Sequence, residues 1–318
     1  MRSPVRLVRH RLDDGTRDLL GKEIEDRVAE ANLDPDADTA ILTRIGAHAL
    51  QRLLPGEVLQ ALRVFPDTGD HALLIENLPQ QEFPPTPVTG FGDERALAAT
   101  NAVHFGLIGL LELTPFAVSY ENGGKLIRNV VPNPAASGTT SSWGADAEFF
   151  WHTDNPHLPF GGRGTDPRQY VPRYLTFYAV RNSEQVPTEL MGLESALARL
   201  DEPLRDQLAA TDFQVAAPDS NEVGPDGTRR TLCAGVLEYG VDGPRARFDR
   251  GTTHGRSGTA KAALDAWVDT LRDAPRLQPV LRPGQFFIFD NYRVLHRRRA
   301  FSPAPAAQAR WFRRCYAS

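Results

Sequence analysis

The segment FFWHTDNPH places an imidazole and a carboxylate two positions apart, at His152 and Asp154. On a β-strand, residues i and i+2 project from the same face, so both side chains would point one way and Thr153 the other. Such a pair and a distant second His form the ligand set of non-haem iron(II) sites, which leaves positions open for small ligands. With eight histidines in the chain, about one His-x-acid match is expected by chance, so the pair needs support from elsewhere in the sequence.

The C-terminal segment FFIFDNYRVLHRRRAFSPAPAAQARWFRRCY supplies a second His and a suitably placed Arg. Phe287 to Asp290 are predicted to form a buried strand that ends in a turn at Asn291. His296 follows where it could complete a metal site, and Arg310, fourteen residues later, opens a final strand. A buried Arg is costly without an acceptor, and its planar fork suits two-point binding of a carboxylate such as the far end of 2-oxoglutarate.

These segments belong to a wider resemblance to a known enzyme family. The chain resembles the clavaminate synthase-like branch of the Fe(II)/2-oxoglutarate-dependent oxygenases (TauD-like superfamily), which includes arginine, asparagine and lysine hydroxylases, in the segments WHTDNPH, DNYRVLH, AFSP, RWFRRCY, LIRNVVP, SSWG and YLTFYAVRN. The resemblance runs from about Phe83 to the C-terminus. It implies a dioxygenase that uses Fe(II), 2-oxoglutarate and O2 to hydroxylate an unactivated β or γ carbon of a free L-amino acid such as arginine, lysine or asparagine, in specialised, antibiotic-type metabolism.

The resemblance implies a role for each residue of the metal and cosubstrate site. His152, Asp154 and His296 would be the iron ligands. Arg310 would bind 2-oxoglutarate, and Thr188, in VPTELM, would support the same cosubstrate with its hydroxyl. Two neutral imidazoles and one carboxylate would hold the ion without filling its coordination sphere, so that O2 and a bidentate 2-oxoacid could enter.

For the substrate, the resemblance implies contacts from three further residues. Arg314, four residues after Arg310, would take the substrate carboxylate, and Ser142 would contact the same end. Asp249, in ARFDRG, would hold the far polar end of the side chain. Each has a structural alternative: a strand-edge charge for Arg314, a loop residue for Ser142 and a surface turn acid for Asp249. Thr188 could equally be a turn or cap residue.

The chain departs from the family pattern at two positions, and both bear on the substrate. Related hydroxylases commonly carry Glu where Asp154 stands. A carboxylate is still present, which disfavours halogenation, since that reaction needs the ligand position free for chloride. Asp249 is followed by Arg250 and Gly251, so no second acid lies nearby in sequence to bind a guanidinium group. A substrate ending in an amide, ureido or amine group therefore fits as well as arginine.

The elements that must position these residues form two groups. Helical spacing predicts helices over residues 41–53 and Glu94 to Leu111, and a late one over Thr259 to Arg272. Residues 71–75 are predicted to form a strand, and from about Pro115 short segments broken by Gly, Pro and Asn predict further strands, among them residues 116–120 and 231–238. The predicted fold is mainly β with flanking helices around a double-stranded β-helix (jelly roll, cupin-like) core. We expect one oxygenase domain over 1–318, with a mostly helical part over 1–112 packed on a jelly-roll core over 113–318 that carries one helix near 259–272.

Composition excludes several other classes. A net charge of −4 argues against nucleic-acid binding, and the Arg297 to Arg299 run is expected to be solvated or locally paired. Two cysteines indicate no disulfide framework. No signal-like start and no apolar run of about 18 residues is present, so we expect a cytoplasmic monomer or homodimer with a small-molecule amino-acid substrate and no membrane contact.

Other functions remain open from the sequence. The same scaffold could act as a desaturase or cyclase, or on an amino acid tethered to a carrier protein. A zinc hydrolase using the same three ligands would need a general base such as the Glu of HExxH, and it would leave Arg310 without a role. A metal-free, cupin-like binding protein is the remaining alternative, and it predicts neither iron uptake nor succinate release.

Overall fold

Helices form a layer in the first third of the chain. The computed structural model describes residues 5–162 and 166–318. The helices of this layer are α1 (Asp14–Ala31), α2 (Thr39–Leu53), α3 (Gly56–Thr68) and α4 (Ala98–Leu110). α2 ends before Pro55, as its apolar spacing predicts, and buries Ala49 and Leu50. It crosses α4 at Gly46, where an added Cβ would lie 1.8 Å from the carbonyl oxygen of Ala102, so only glycine allows this approach.

The remaining elements are mostly strands. The strands are β1 (Leu7–Arg11), β2 (Ala72–Glu76), β3 (Pro115–Phe116), β4 (Arg128–Val130), β5 (Phe149–His152), β6 (Tyr174–Arg181), β7 (Glu189–Gly192), β8 (Phe213–Ala216), β9 (Thr231–Ala234), β10 (Leu237–Gly240), β11 (Gly243–Ala246), β12 (Thr253–Gly255), β13 (Gln285–Asp290), β14 (Val294–Arg298) and β15 (Trp311–Ala317). The helices among them are α5 (Leu193–Leu197), α6 (Glu202–Ala209) and α7 (Gly258–Asp273). α7 matches the predicted late helix, whereas α5 and α6 were not predicted.

The main sheet has the order β1-β2-β13-β6-β15-β3, with β4 also paired to β15. β1 and β2 pair in parallel, and β13 lies antiparallel between β2 and β6. The first part of the chain was expected to be mostly helical with a strand at residues 71–75, which β2 confirms, whereas β1, its parallel partner, was not predicted. Their pairing joins residues far apart in sequence, which local patterns do not reveal.

A smaller sheet, β5-β14-β7, faces the main sheet. Alternation along β13 divides the core between two layers. Phe287 and Phe289 pack with Leu190 of β7 and Val294 of β14 in the cluster between the sheets. Phe286 on the opposite face packs with the helical layer. Sheets flanked by helices are therefore confirmed.

Two predicted strands differ in extent. Residues 116–120 were expected to be extended, but β3 ends at Phe116 and the chain turns through Asn122, whose φ is 56°. Residues 231–238 form parts of two strands, β9 and β10, separated at Gly235, where a Cβ would lie 2.5 Å from the carbonyl oxygen of Ala209. Among the described residues, no helix has the length and apolar character needed to cross a bilayer.

Candidate metal centre and substrate cavity

The candidate metal centre forms where β5 and β14 pair. His296 lies directly opposite His152 in the antiparallel register, and Asp154 follows just beyond the end of β5. The Nε2 atoms of His152 and His296 lie 3.5 Å and 3.4 Å from Oδ1 of Asp154. The three ligand atoms fall within 4.8 Å of one another, and all three side chains are buried. The structure thus brings together the three residues predicted as iron ligands.

The protonation states of these residues suit a metal ion. The Nδ1–H of His152 donates to the carbonyl oxygen of Phe150 at 2.7 Å, which leaves its Nε2 lone pair free. Burial lowers the pKa of His296 to about 4, so this imidazole is neutral at pH 7. Burial alone would raise the pKa of Asp154, but Arg314 and the two imidazoles lower it well below its usual range. Two imidazoles that present Nε2 and an ionised carboxylate fit a divalent first-row metal bound at about 2.0–2.2 Å.

Asn291, in the turn between β13 and β14, fixes the backbone of Asp154. Its Oδ1 accepts the N–H of Asp154 at 2.9 Å, and its Nδ2 donates to the carbonyl oxygen of Asp154 at 3.2 Å. The same Nδ2 donates to the carbonyl oxygen of Pro172 at 2.9 Å. The turn that leads to His296 is thereby tied to the segment that carries the carboxylate. The turn was predicted from the sequence, but this contact was not.

Arg310, immediately before β15, is 4 % exposed and stacks on the ring of Phe312 at 3.8 Å. Its Nε has no hydrogen-bond partner in the described part of the chain. Burial, with the nearby charge of Arg298, lowers the pKa of the Arg310 guanidinium. A bound anion would offset this burial cost.

Thr188 immediately precedes β7. The first residue of that strand, Glu189, lies opposite Arg297 of β14. The backbone N–H of Thr188 donates to the carbonyl oxygen of Pro279 at 3.0 Å. The Thr188 hydroxyl is buried and, within residues 5–162 and 166–318, has no partner. A buried hydroxyl without a partner is costly, so this group and the Arg310 guanidinium both leave polar atoms that a ligand could satisfy.

A cavity of about 80 Å³ lies against the ligand triad. Its walls carry polar side chains from several elements and two loops: Glu121, Arg128, Ser142, Asp249, Arg314, Tyr316, and residues 139–141 and 218–221. His152 and Asp154 form part of the same wall. The three residues predicted to hold the substrate, Ser142, Asp249 and Arg314, therefore line one cavity beside the metal centre.

Arg314 links the metal centre to a second buried carboxylate. Its Nη1 donates to Oδ2 of Asp154 at 2.6 Å, and its Nη2 donates to Oε1 of Glu121. The hydroxyl of Tyr316 lies 3.1 Å from Oδ2 of Asp154 and 3.0 Å from Oε2 of Glu121. Asp154 thus offers Oδ1 to the imidazoles while Arg314 and Tyr316 hold Oδ2.

Glu121 and Arg128 are site residues that sequence reasoning missed. Glu121 is 5 % exposed, and Arg314 and Arg128 lower its pKa against the opposing effect of burial. The turn signal of ENGG was visible in the sequence, but nothing local marks this acid as buried. The segment LIRNVVP was recognised as part of the family resemblance without a role for its Arg.

Asp249 lies at another part of the cavity wall. Its backbone pairs opposite His152 in an isolated bridge, and its Oδ1 accepts the N–H of Gly251 at 2.7 Å. Burial raises the pKa of this carboxyl group. The Oγ of Ser142 accepts the Nε–H of Arg128 at 2.8 Å. Asp249 is thus a buried acid, not a surface turn residue, and Ser142 contacts a guanidinium at the cavity.

The three consecutive arginines that follow His296 are locally bound, as expected. Arg297 and Arg299 lie 2.8 Å and 2.7 Å from the carboxylate of Glu189. Arg298 donates to the carbonyl oxygens of Ala145 at 3.1 Å and of Gly144. This run therefore stabilises β14 and the loop before β5, and each of its guanidinium groups has a local partner.

Comparisons with known proteins agree with this geometry. The profile of the family described as Taurine catabolism dioxygenase TauD, TfdA family matches residues 87–316. An enduracididine beta-hydroxylase of Streptomyces hygroscopicus is 26% identical over 300 residues, covering 82% of this chain and 81% of the relative. An L-lysine 3-hydroxylase of Catenulispora acidiphila is 26% identical over 259 residues, covering 79% of this chain and 68% of the relative.

Solved structures show the same fold. An asparagine oxygenase in complex with Fe(II), 2S,3S-3-hydroxyasparagine and succinate superposes with a TM-score of 0.80 at 23% identity, covering 98% of this chain and 93% of that one. The non-heme iron oxygenase OrfP in complex with Fe and alpha-ketoglutaric acid gives a TM-score of 0.78 at 22% identity, with 97% and 93% covered.

Proposed function

Because the chain belongs to the taurine catabolism dioxygenase TauD, TfdA family, we propose that it hydroxylates the β carbon of a free L-amino acid with Fe(II), 2-oxoglutarate and O2. The observation that carries the proposal is a buried His/Asp/His cluster that shares a cavity with both buried cations and buried acids. One oxygen atom of O2 would enter the C–H bond, and the other would enter succinate as 2-oxoglutarate loses CO2.

His152, Asp154 and His296 would hold the iron. When bound, Fe(II) with 2-oxoglutarate supplies the activation of O2 that an unactivated C–H bond requires. The protein must position that bond and exclude water, so none of its side chains need transfer a proton. Arg314 and Tyr316 on Oδ2 of Asp154 leave Oδ1 for the ion. Hydrogen bonds of this kind set the orientation of metal ligands.

Arg310 would bind the far carboxylate of 2-oxoglutarate, and the Thr188 hydroxyl would support it. The support is physical: both groups are buried and both keep polar atoms without a partner in the described chain. A guanidinium binds a carboxylate with two parallel hydrogen bonds, which adds geometric selectivity to the charge attraction.

The cavity is suited to an amino-acid zwitterion. Arg314 would bind the α-carboxylate with Ser142 nearby, and Glu121 would receive the α-ammonium group. Asp249 would hold a polar or cationic side-chain terminus. An analogue lacking the polar side-chain terminus would leave the buried Asp249 without a charged partner, which is a basis of selectivity here.

The relatives guide the finer points. Both curated relatives carry names that place the hydroxyl group on the β carbon, which is C3 of the amino acid. One of them acts on enduracididine, an amino acid outside the set used to build proteins, and this favours a role in specialised, antibiotic-type metabolism. We further propose that the facing sheets form a double-stranded β-helix and that residues 1–318 are one oxygenase domain.

Succinate release and product mass test the proposal. The iron-loaded protein is incubated with 2-oxoglutarate, O2 and a panel of L-amino acids that includes arginine, lysine and asparagine. We expect one amino acid to gain a single oxygen atom, with one succinate formed for each product. Loss of two hydrogen atoms would identify a desaturase, and hydrolysis without succinate would reject the oxygenase.

A further inference from the structure

Two buried guanidinium groups face each other across neighbouring strands beside the metal centre. Arg128 of β4 lies directly opposite Arg314 of β15 in the antiparallel register. The two residues are 3 % and 7 % exposed. Like charges directly opposite each other on a sheet are destabilising, and burial increases the cost. An arrangement of this kind requires anions close by.

The anions present do not satisfy both cations. Glu121 is engaged by Arg314, whereas Nη1 of Arg128 lies 3.8 Å from its Oε1, beyond hydrogen-bonding distance. The other partner of Arg314 is Asp154, which is itself a proposed iron ligand. With a divalent cation on Oδ1 of Asp154, that cation and the two guanidinium groups share only two carboxylates, Asp154 and Glu121, so this corner of the cavity carries an excess positive charge.

Arg128 retains unused hydrogen-bonding capacity. Its Nε donates to Ser142 at 2.8 Å, and its guanidinium stacks on the ring of Trp143 at 4.3 Å. Its Nη2 is buried and, among the described residues, has no partner. Burial, together with the charge of Arg314, lowers the pKa of the Arg128 guanidinium. The stacking and the Ser142 contact hold the group against the cavity while its outer nitrogen atoms still need an acceptor.

We propose that Arg128 is a second binding residue for the substrate α-carboxylate, which is held between Arg128 and Arg314. This inference rests on the proposed function, since it assigns the anion to the amino-acid substrate. Its consequence is a requirement for a free carboxylate. An amino acid tethered through that group to a carrier protein would leave this excess positive charge uncompensated, so the enzyme acts on the free amino acid.

The test compares binding of an acid and its amide. L-Arginine, L-lysine and L-asparagine, each with its α-carboxamide, are titrated by calorimetry into the anaerobic enzyme loaded with Fe(II) and 2-oxoglutarate. We expect the wild type to bind at least one free acid about 100-fold more tightly than its amide. Arg128→Met, which keeps a stem to pack on Trp143, should weaken binding of the acid about 100-fold and leave binding of the amide nearly unchanged. Arg128→Lys should weaken the acid about 10-fold.

Controls separate a binding role from a structural one. Lys125→Met removes a neighbouring positive charge that pairs with Asp36 at the surface, and it should leave both affinities unchanged. Binding of 2-oxoglutarate by Arg128→Met reports that the variant is folded and metal-loaded. Equal weakening of acid and amide in Arg128→Met would overturn the assignment and make Arg128 a support for the Ser142 loop. Failure of the wild type to bind any amino acid of the panel used to measure turnover would instead overturn the proposed function together with this inference.

Discussion

The two halves of the candidate site are built in different ways. The metal and cosubstrate half is carried by paired strands: His152 and His296 are opposite one another on β5 and β14, and Arg310 leads into β15, which pairs along its length with β6. The substrate half is walled largely by loop residues, namely 139–142, 218–221, Asp249, Gly251 and Thr252. Strand ladders fix the groups common to the chemistry, while loops can vary to select a substrate.

The loops of the substrate half depend on side-chain contacts for their position. Nδ2 of Asn221 donates to Oδ1 of Asn155 at 3.2 Å, and the guanidinium of Arg230 stacks on the ring of Tyr120 at 3.7 Å. Arg298 holds the other loop through the carbonyl oxygen of Ala145 at 3.1 Å. Substitutions in the two halves should therefore have separable effects, on iron and cosubstrate in one and on the amino acid in the other.

The largest effect is expected in the metal and cosubstrate half, at His296. His296→Ala removes one of the three proposed ligands, and loss of a direct ligand should exceed the roughly 10- to 100-fold cost of losing a contact behind one. Succinate release should fall at least about 100-fold, together with the bound-iron content of the purified protein. His254→Ala changes an exposed His of β12 and should keep both. Retained iron-dependent turnover in His296→Ala would be incompatible with the triad.

A smaller and more selective effect is expected at Arg310. Arg310→Met should raise the 2-oxoglutarate concentration for half-maximal rate about 100-fold, because a buried charge-assisted contact to a carboxylate is lost. The affinity for the amino acid should change little, since Arg310 is absent from the residues that line the substrate cavity. Steady-state kinetics with each substrate varied in turn measure both. Unchanged dependence on 2-oxoglutarate would reject this assignment.

In the substrate half, Asp249→Asn should weaken binding of an amino acid with a cationic side chain about 10-fold, because a charge-assisted contact becomes a neutral one. Dependence on 2-oxoglutarate should stay as in the wild type. Burial raises the pKa of Asp249, so its ionised form costs stability at neutral pH, and the variant should unfold at a higher temperature. Asp269→Asn, on the exposed surface of α7, is the matched control. If Asp249→Asn changed the 2-oxoglutarate requirement more than the affinity for the amino acid, the division between the two halves would be wrong.

Most of the metal and cosubstrate half could be predicted from the sequence. Because strand side chains alternate, His152 and Asp154 were expected to face the same way; Asp154 lies just beyond the end of β5 but remains beside His152. A short predicted turn at Asn291 leads to His296. These relations are local. β14 itself was not predicted because its charged sequence resembles an exposed segment; its burial depends on Glu189, which binds Arg297 and Arg299.

The substrate half was predicted less completely, since its contacts join segments that are distant in sequence. Asp249 and Ser142 were named from the family resemblance, and the cavity includes both. Glu121 and Arg128 were missed because an acid in a turn and an Arg in a short apolar strand have ordinary surface explanations. Only the pairing of β4 with β15 places Arg128 opposite Arg314. The parallel pairing of β1 with β2 escaped prediction for the same reason.

The smallest effect is expected at His157, a buried imidazole that does not belong to the triad. Its Nε2 lies 3.1 Å from the hydroxyl of Tyr120, the ring on which Arg230 stacks. Burial lowers the pKa of His157 from 6.5 to about 4, so the folded protein holds it neutral. The unfolded chain binds a proton at this residue below pH 6.5 while the folded chain does not, so its contribution to stability is complete above pH 6.5 and is lost as the pH falls toward 4.

His157→Gln should therefore flatten the pH dependence of the free energy of unfolding. Below pH 6.5 and above about 4, the slope for the wild type should exceed that for the variant by about 1.4 kcal/mol per pH unit. Denaturant titrations at several pH values measure both slopes, and parallel curves would show that the imidazole titrates alike in both states. The affinity of His157→Gln for the amino acid at pH 7.5 separates a space-filling role from a role in substrate binding. If the imidazole only fills space, the variant should bind the amino acid as tightly as the wild type. Weaker binding would place the Tyr120–His157 contact among those that hold the substrate loops.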